Sequence, residues 1–418
     1  MKALTKIGIG FLSLAAVALW FTSCSSEDVT QNGGSQSDKE SLLTLTINTG
    51  KIMRSRTTDW TSDPAGADAS QTESKISAIT IGIFDGTTKN VKAIIEPAKG
   101  TDDATPGDNQ FTYSTTDKKI TAKVIAKALS ADDDVLVAVN HALKFTSVSD
   151  ENSFNAVTES LSEALGTGTS QDNTNIPMYG TGKLVAGTST NSFKADDILV
   201  KRLLAKITLD QLSVDFKGIY ANAEFKPTCC FLINVPENLK FADGKDSWDT
   251  SAALNSGWAS YDSSTGSFTY TTGNSDIGGS TFKEFLTTKD LTGAATALKG
   301  AASYSSKVYF YTMPNGNDKA STRNTKLVIA GKFKANSTAK EQMVYYPVPL
   351  NVNIAAGGTE TAGLDDKYKV YPNKNYICGV TIKTIGVANP NLNLDPQDAT
   401  ITIKVEDWTS VNQTTIFD

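Results

Sequence analysis

Histidine is almost missing from this chain, whose 418 residues include one, His141. With one imidazole and scattered cysteines there is no zinc-ligand spacing, and any Ser-His-Asp arrangement would depend on that single residue. His141 follows the apolar run Val135 to Val139 and reads as a strand-end residue. Cysteine is scarce as well, with Cys24, Cys229, Cys230 and Cys378 the full set, too few for a disulfide framework. No basic excess exists: Lys and Arg total 39 against 45 for Asp and Glu, a net charge of −6, so the footprint of a nucleic-acid binder or of an anionic-lipid binder is lacking. No G-x-S-x-G elbow, Walker A loop or strand-following G-x-G-x-x-G occurs, which disfavours hydrolase and nucleotide chemistry. No cofactor is expected. Paired glycosidase carboxylates are a matter of three-dimensional separation that a sequence does not display. Asp132, Asp133 and Asp134 lack the spaced oxygens and turn glycine of a calcium loop and read as a solvated turn.

The first residues carry an address. Lys2 and Lys6 precede an apolar stretch from Ile7 to Phe21, too short for a stable membrane span but suited to the core of a signal peptide. The stretch meets Phe21-Thr22-Ser23-Cys24, which resembles a lipobox: residues 1–23 would be removed and Cys24 acylated, as with palmitate, at the new N-terminus. An ordinary secretory signal followed by a coincidental cysteine is the alternative. Residues 24–41 are a polar, flexible tether. With Cys24 lipidated, three cysteines remain. They are either small buried residues or one bridge from Cys378 to Cys229 or Cys230, which as neighbours in a strand point to opposite faces.

What the chain has in abundance is alternation with a period of two. Leu43, Leu45 and Ile47 alternate with Thr44, Thr46 and Asn48, the mark of a half-buried strand. The pattern returns at Ile79, Ile81 and Ile83, in the denser run Val135 to Val139, and from Leu203 to Leu209. It continues at Val308 and Phe310, from Tyr346 to Ile354, and from Tyr376 to Ile382. Helical spacing is clear mainly over Asn155 to Leu165, read as a short connecting helix. Strands punctuated by Gly, Asn, Asp and Ser, without alternating helices, predict an all-β fold of antiparallel sandwiches. A length of 418 suits two domains, and the polar stretch Ala186 to Asp197 sets their boundary near residue 200, giving domains at 42–199 and 200–418. The region Ala242 to Gly300 is read as long surface loops, in which Trp248, Trp258, Tyr261 and Tyr270 could stack on sugars or simply pack.

Several segments together resemble the fimbrillins, the fimbrial subunits of Bacteroidetes. They are Cys24 with its lipobox, the strand Leu43 to Thr49 followed by Arg54 and Arg56, Val135 to Asn140, Ile176 to Gly180, Val200 to Ile207, Tyr345 to Val348, Tyr371 to Tyr376, and Ala399 to Trp408. Their order spans nearly the whole chain. The resemblance implies two transthyretin-like β-sandwich domains and a lipoprotein precursor exported through the periplasm to the outer membrane. It further implies cleavage after an arginine, here Arg54 or Arg56, and polymerisation by donor-strand exchange. The expected function is that of a structural, non-enzymatic subunit of a surface fimbrium, most naturally its stalk. The displaced strand would be that of Leu43, Leu45 and Ile47, since its loss exposes an apolar groove and unpaired backbone groups. The donor would lie near residues 398–418, where Ala399, Ile401, Ile403 and Val405 share one face and Trp408 follows. Expected partners are other fimbrial subunits, the outer membrane through the lipid, and a host or bacterial surface ligand, but no nucleic acid. The alternative is a tip adhesin or glycan-binding surface lipoprotein.

Overall fold

The computed structural model describes residues 40–49, 73 and 75–407, apart from short stretches at 142–144, 166–170, 172–173, 252–253, 256–257, 263–266, 272–288, 292–296, 305–307, 319–322, 356–358, 363–365, 391 and 393–398. Strands dominate, and they form two pairs of facing sheets in an all-β architecture.

In the first pair, one sheet runs in the order Val185–Ala186, Ser192–Leu199, Glu40–Asn48, Lys119–Lys127, Gln110–Ser114, Ala98–Lys99. The other runs Lys201–Arg202, Met178–Lys183, Asp134–Val139, Ile79–Phe84, Val91–Ile95. Alternate side chains from both meet between them: Leu43, Leu45, Ile47, Ile120, Ala122 and Val124 from one sheet, Ile79, Ile81, Ile83, Val135, Val137 and Val139 from the other. In the second pair, Ala205–Val214, Lys374–Ile382, Ala399–Asp407 and Val352–Ile354 are successive neighbours, facing a sheet built on Glu224–Ile233, Lys326–Lys334 and Gln342–Pro349.

The strands Ile79–Phe84 and Asp134–Val139 are buried along their whole length, on both faces. A half-solvated sheet would leave every second residue wet. Here the outer face carries Phe84, Leu136 and Ala138, which join the same apolar cluster as the second pair of sheets, so one continuous core crosses the junction. Aromatic rings fill the seam: Phe145 stacks on Phe154 at 4.3 Å and meets Phe241 edge-on at 5.5 Å. Gly82 makes room for them, because a Cβ there would stand 2.9 Å from Phe154 and 2.6 Å from Phe84.

Two local expectations are corrected. The helix read over Asn155 to Leu165 is instead a one-turn helix Glu151–Asn155, a strand Thr158–Ser160 and a second one-turn helix Leu161–Leu165. The strand pairs with Asn238–Lys240 across the junction, so tertiary pairing overrides the helical spacing. Polar side chains fix the helix starts: Asp150 and Ser153 form a reciprocal capping box, and the Glu163 carboxylate accepts from the Ser160 backbone N–H at 2.9 Å. The run Tyr346 to Ile354 is likewise two strands, Gln342–Pro349 and Val352–Ile354, placed in different sheets. The change of sheet occurs at Asn351, which adopts a φ of 57° and whose amide donates to the carbonyls of Asp366 and Lys369.

Candidate functional site

The first strand, Glu40–Asn48, is an interior strand although it lies close to the start of the chain. On one side it pairs antiparallel with Lys119–Lys127, from Glu40 opposite Lys127 to Asn48 opposite Lys119. On the other it pairs parallel with Ser192–Leu199, setting Leu43 opposite Phe193 and Leu45 opposite Ala195. Leu43, Leu45 and Ile47 are fully buried, while Leu42, Thr44 and Thr46 face outward. The strand ends where the Asn48 carbonyl accepts from the Val200 N–H at 2.9 Å and its amide donates to Asp197 at 3.0 Å. Lifting this strand out would open a trough floored by Ile81, Val137 and their neighbours. It would also leave two strands with unpaired edges, the form of site that an extended segment completes.

The candidate donor, Ala399–Asp407, lies within the second pair of sheets. It pairs antiparallel with Lys374–Ile382 along its length, from Ala399 opposite Ile382 to Asp407 opposite Lys374. Its other edge is held far less, by the pair Ile354 and Ile401 and by the Asn353 side chain, which accepts from the Ile403 N–H. Ala399, Ile401 and Ile403 are buried in the core beneath the second pair of sheets, and Val405 pairs through its backbone with Tyr376. The two pairs of sheets share a scheme in which the first long strand runs parallel to a late one: Glu40–Asn48 beside Ser192–Leu199, and Ala205–Val214 beside Lys374–Ile382. Among the described residues, the first pair of sheets has Val185–Ala186 on the far side of that late strand, whereas the second has the full-length Ala399–Asp407. The last strand is thus an addition to the common plan.

Cys24, Arg54, Arg56 and Trp408 lie outside the described residues. Cys229, Cys230 and Cys378 are buried thiols, not joined in a disulfide. Cys230 and Cys378 face the main core while Cys229 faces a smaller cluster with Phe231 and Tyr345, as alternation in a strand requires. Burial pushes the Cys378 thiol up to about 12. His141 sits edge-on to Phe145 at 5.1 Å and to Phe241 at 6.2 Å, so its ring belongs to the aromatic seam. Trp248 packs on Tyr371 at 5.1 Å and donates its indole N–H to the Val370 carbonyl at 3.0 Å. Trp258–Asp262 and Ser267–Thr271 pair as a hairpin, so part of the expected loop region is strand.

The acidic run is also corrected. Asp133 and Asp134 are buried, and Lys92 reaches Asp133 at 2.7 Å while Lys183 and Lys89 both pair with Asp134. Burial alone would raise the Asp134 carboxyl, but the hydrogen bonds from Lys89 and Lys183 outweigh it and hold the group below the usual carboxylate range. Among the described residues no group of His, Cys, Asp and Glu could hold a metal ion.

A buried polar cluster at the junction went unread in the sequence. Arg202 is 2% exposed and donates to the Glu73 carbonyl at 3.4 Å. The Glu73 carboxylate accepts from Lys206 at 3.0 Å and from the Tyr311 hydroxyl at 2.5 Å. Burial lowers the Arg202 pKa, and the Glu73 charge opposes that shift. The one signal in the sequence was the pair of cations Lys201 and Arg202, set between Val200 and the apolar Leu203 and Leu204.

No family model matches the chain, and no curated protein matches it by sequence. Solved structures do match. A candidate cell adhesion protein of Parabacteroides distasonis superposes with a TM-score of 0.57 at 16% identity, over 89% of this chain and 100% of that one. A second candidate cell adhesion protein of the same organism gives 0.57 at 15% identity, over 89% of this chain and 98% of that one. A fimbrilin of Porphyromonas gingivalis gives 0.50 at 16% identity, over 89% of this chain and 99% of that one. The fold is fimbrilin-like. At these identities the likeness concerns architecture, and it extends over both pairs of sheets.

Proposed function

We propose that this protein is a subunit of a cell-surface fimbrium, exported as a lipoprotein through Cys24, cut after Arg54 or Arg56, and polymerised when the last strand of a neighbour replaces Glu40–Asn48. The observation that carries the reading is the position of the first strand. It is an interior strand with three fully buried side chains, yet a single cut after it severs it from the rest of the chain. An interior strand confined to one chain gains nothing from a separable terminus, whereas an exchangeable one needs it. The alternation of Ala399, Ile401, Ile403 and Val405 offers a replacement of matching period, and its weakly held outer edge favours release.

Protein taken from surface fibres should begin at Ser55 or Thr57, and replacing both Arg54 and Arg56 with alanine should leave a monomeric precursor. N-terminal sequencing of the fibre and electron microscopy of the double variant test this. Normal fibres in which Leu43 is retained would remove the reading. The adhesin reading is favoured by the similarity to candidate cell adhesion proteins, and it predicts that the mature surface form still carries Cys24.

A further inference from the structure

The run Val200 to Leu204 carries the chain from one pair of sheets to the other and crosses between two cores. Val200 is buried with Leu43, Leu45 and Ile47, whereas Leu203 and Leu204 are buried with Tyr311 and Tyr376. The near end of the run is pinned by the first strand: the Asn48 carbonyl accepts from the Val200 N–H at 2.9 Å, and Ile47 stands opposite Ile198. Two residues beyond Val200, the buried Arg202 donates to the Glu73 carbonyl at 3.4 Å.

The far end is gripped by side chains that precede Val200 in the sequence. The Gln171 amide donates to the Tyr311 carbonyl at 2.7 Å and accepts from the Tyr311 N–H at 2.7 Å. The Glu73 carboxylate accepts from the Tyr311 hydroxyl and from Lys206 at 3.0 Å. Lys206 and Tyr311 stand opposite each other in neighbouring strands, so Glu73 and Gln171 hold the second pair of sheets at one point. Such a clasp has two states rather than a continuum, because parting buried charges from their counter-charges is costly. We propose that the clasp of Glu73, Arg202, Lys206 and Tyr311 is a coupler, which closes fully only while a strand fills the place of Glu40–Asn48. Withdrawing that strand removes the acceptor of the Val200 N–H and the packing of Ile47. The run then shifts, Arg202 moves off Glu73, and the grip on Tyr311 and Lys206 loosens. A filled trough and firmly joined pairs of sheets thus support each other. The coupling depends on the trough and not on the lipid, the cut or the exchange, so its test stands apart from the fimbrial reading.

The test is amide hydrogen exchange of the full-length, uncut chain, followed by mass spectrometry. Glu73→Gln should speed exchange across Glu40–Asn48 about tenfold, within the roughly 5–150-fold of ordinary couplings between sites. The strand Lys326–Lys334, paired on both sides within the second pair of sheets, should be unchanged. Coupling is reciprocal, so Leu45→Ala, placed in the other core, should in turn speed exchange at Lys206 and Tyr311. Tyr311→Phe keeps the ring and the backbone bonds to Gln171, gives a milder form of the same pattern, and covers the case in which Glu73→Gln fails to fold. Unchanged exchange across Glu40–Asn48 in the folded variants would overturn the proposal. So would an effect of Leu45→Ala confined to the first pair of sheets, or a uniform acceleration that includes Lys326–Lys334, which would mean a general loss of stability.

Discussion

Replacing Leu45 with alanine probes the exchange at its centre. Leu45 is fully buried between Ala122 and Ala195, two small neighbours that are poorly able to fill the space it leaves. A Leu→Ala change at such a site costs about 2–5 kcal/mol. In the uncut precursor that is a loss of stability. Once the chain is cut after the strand, the same energy becomes a loss of affinity between the severed segment and the groove, about thirtyfold to several thousandfold. The three buried side chains Leu43, Leu45 and Ile47 together contribute about 4.5–9 kcal/mol by burial, so Leu45→Ala removes a large share of what retains the segment. The assay is limited trypsin cleavage of the full chain, followed by the rate at which a labelled peptide spanning Ala399 to Trp408 enters the groove. The variant should accept the peptide at least thirtyfold faster at equal concentration. Equal rates for parent and variant would refute the argument, since they would mean that release of the first strand does not limit exchange.

Cys24→Ser should abolish acylation, read by metabolic labelling with a fatty acid; equal label in variant and parent would exclude the lipid anchor. Ile403→Asp should reduce polymerisation strongly, because it places a charge on the buried face of the donor, and light scattering would show whether it does. Acid stability should depend on Asp134: its folded pKa lies below the unfolded value, so its contribution is full above about pH 4 and is lost as pH falls through the folded pKa. Asp134→Asn should therefore flatten the acid limb of the unfolding profile followed by circular dichroism, and an unchanged limb would assign the acid sensitivity elsewhere.

Much of the architecture was legible in the residues because period-two alternation records one buried face directly. Leu43, Leu45 and Ile47 read inward and are inward, as are Tyr376, Cys378, Val380 and Ile382. The alternation failed where a second layer covers the other face. Nothing in Ile79 to Phe84 announces that Thr80 and Gly82 lie beneath the aromatic seam, since small and polar residues there look like a wet face. The helical spacing of Asn155 to Leu165 misled for a related reason: Phe154, Leu161 and Leu165 are buried against the core from separate one-turn pieces. Asp133 and Asp134 looked solvated because their lysine partners, Lys92, Lys89 and Lys183, are more than 40 positions away in sequence. The buried cluster of Arg202, Glu73, Lys206 and Tyr311 is hidden in the same way, as a long-range pairing between segments that carry no shared motif.

The parallel pairing of the first strand bears on the order in which the molecule is made. Leu43 meets Phe193, about 150 positions later, so the earliest segment of the domain must wait for nearly the last before its second edge is satisfied. Loop closure of that span is entropically costly and slow compared with the local hairpins on either side. Until then the chain carries an apolar ribbon with one open edge, vulnerable to the wrong neighbour. In the proposed assembly such a first strand would serve as a temporary stopper: it would occupy the trough during synthesis and transit and keep subunits from joining too early.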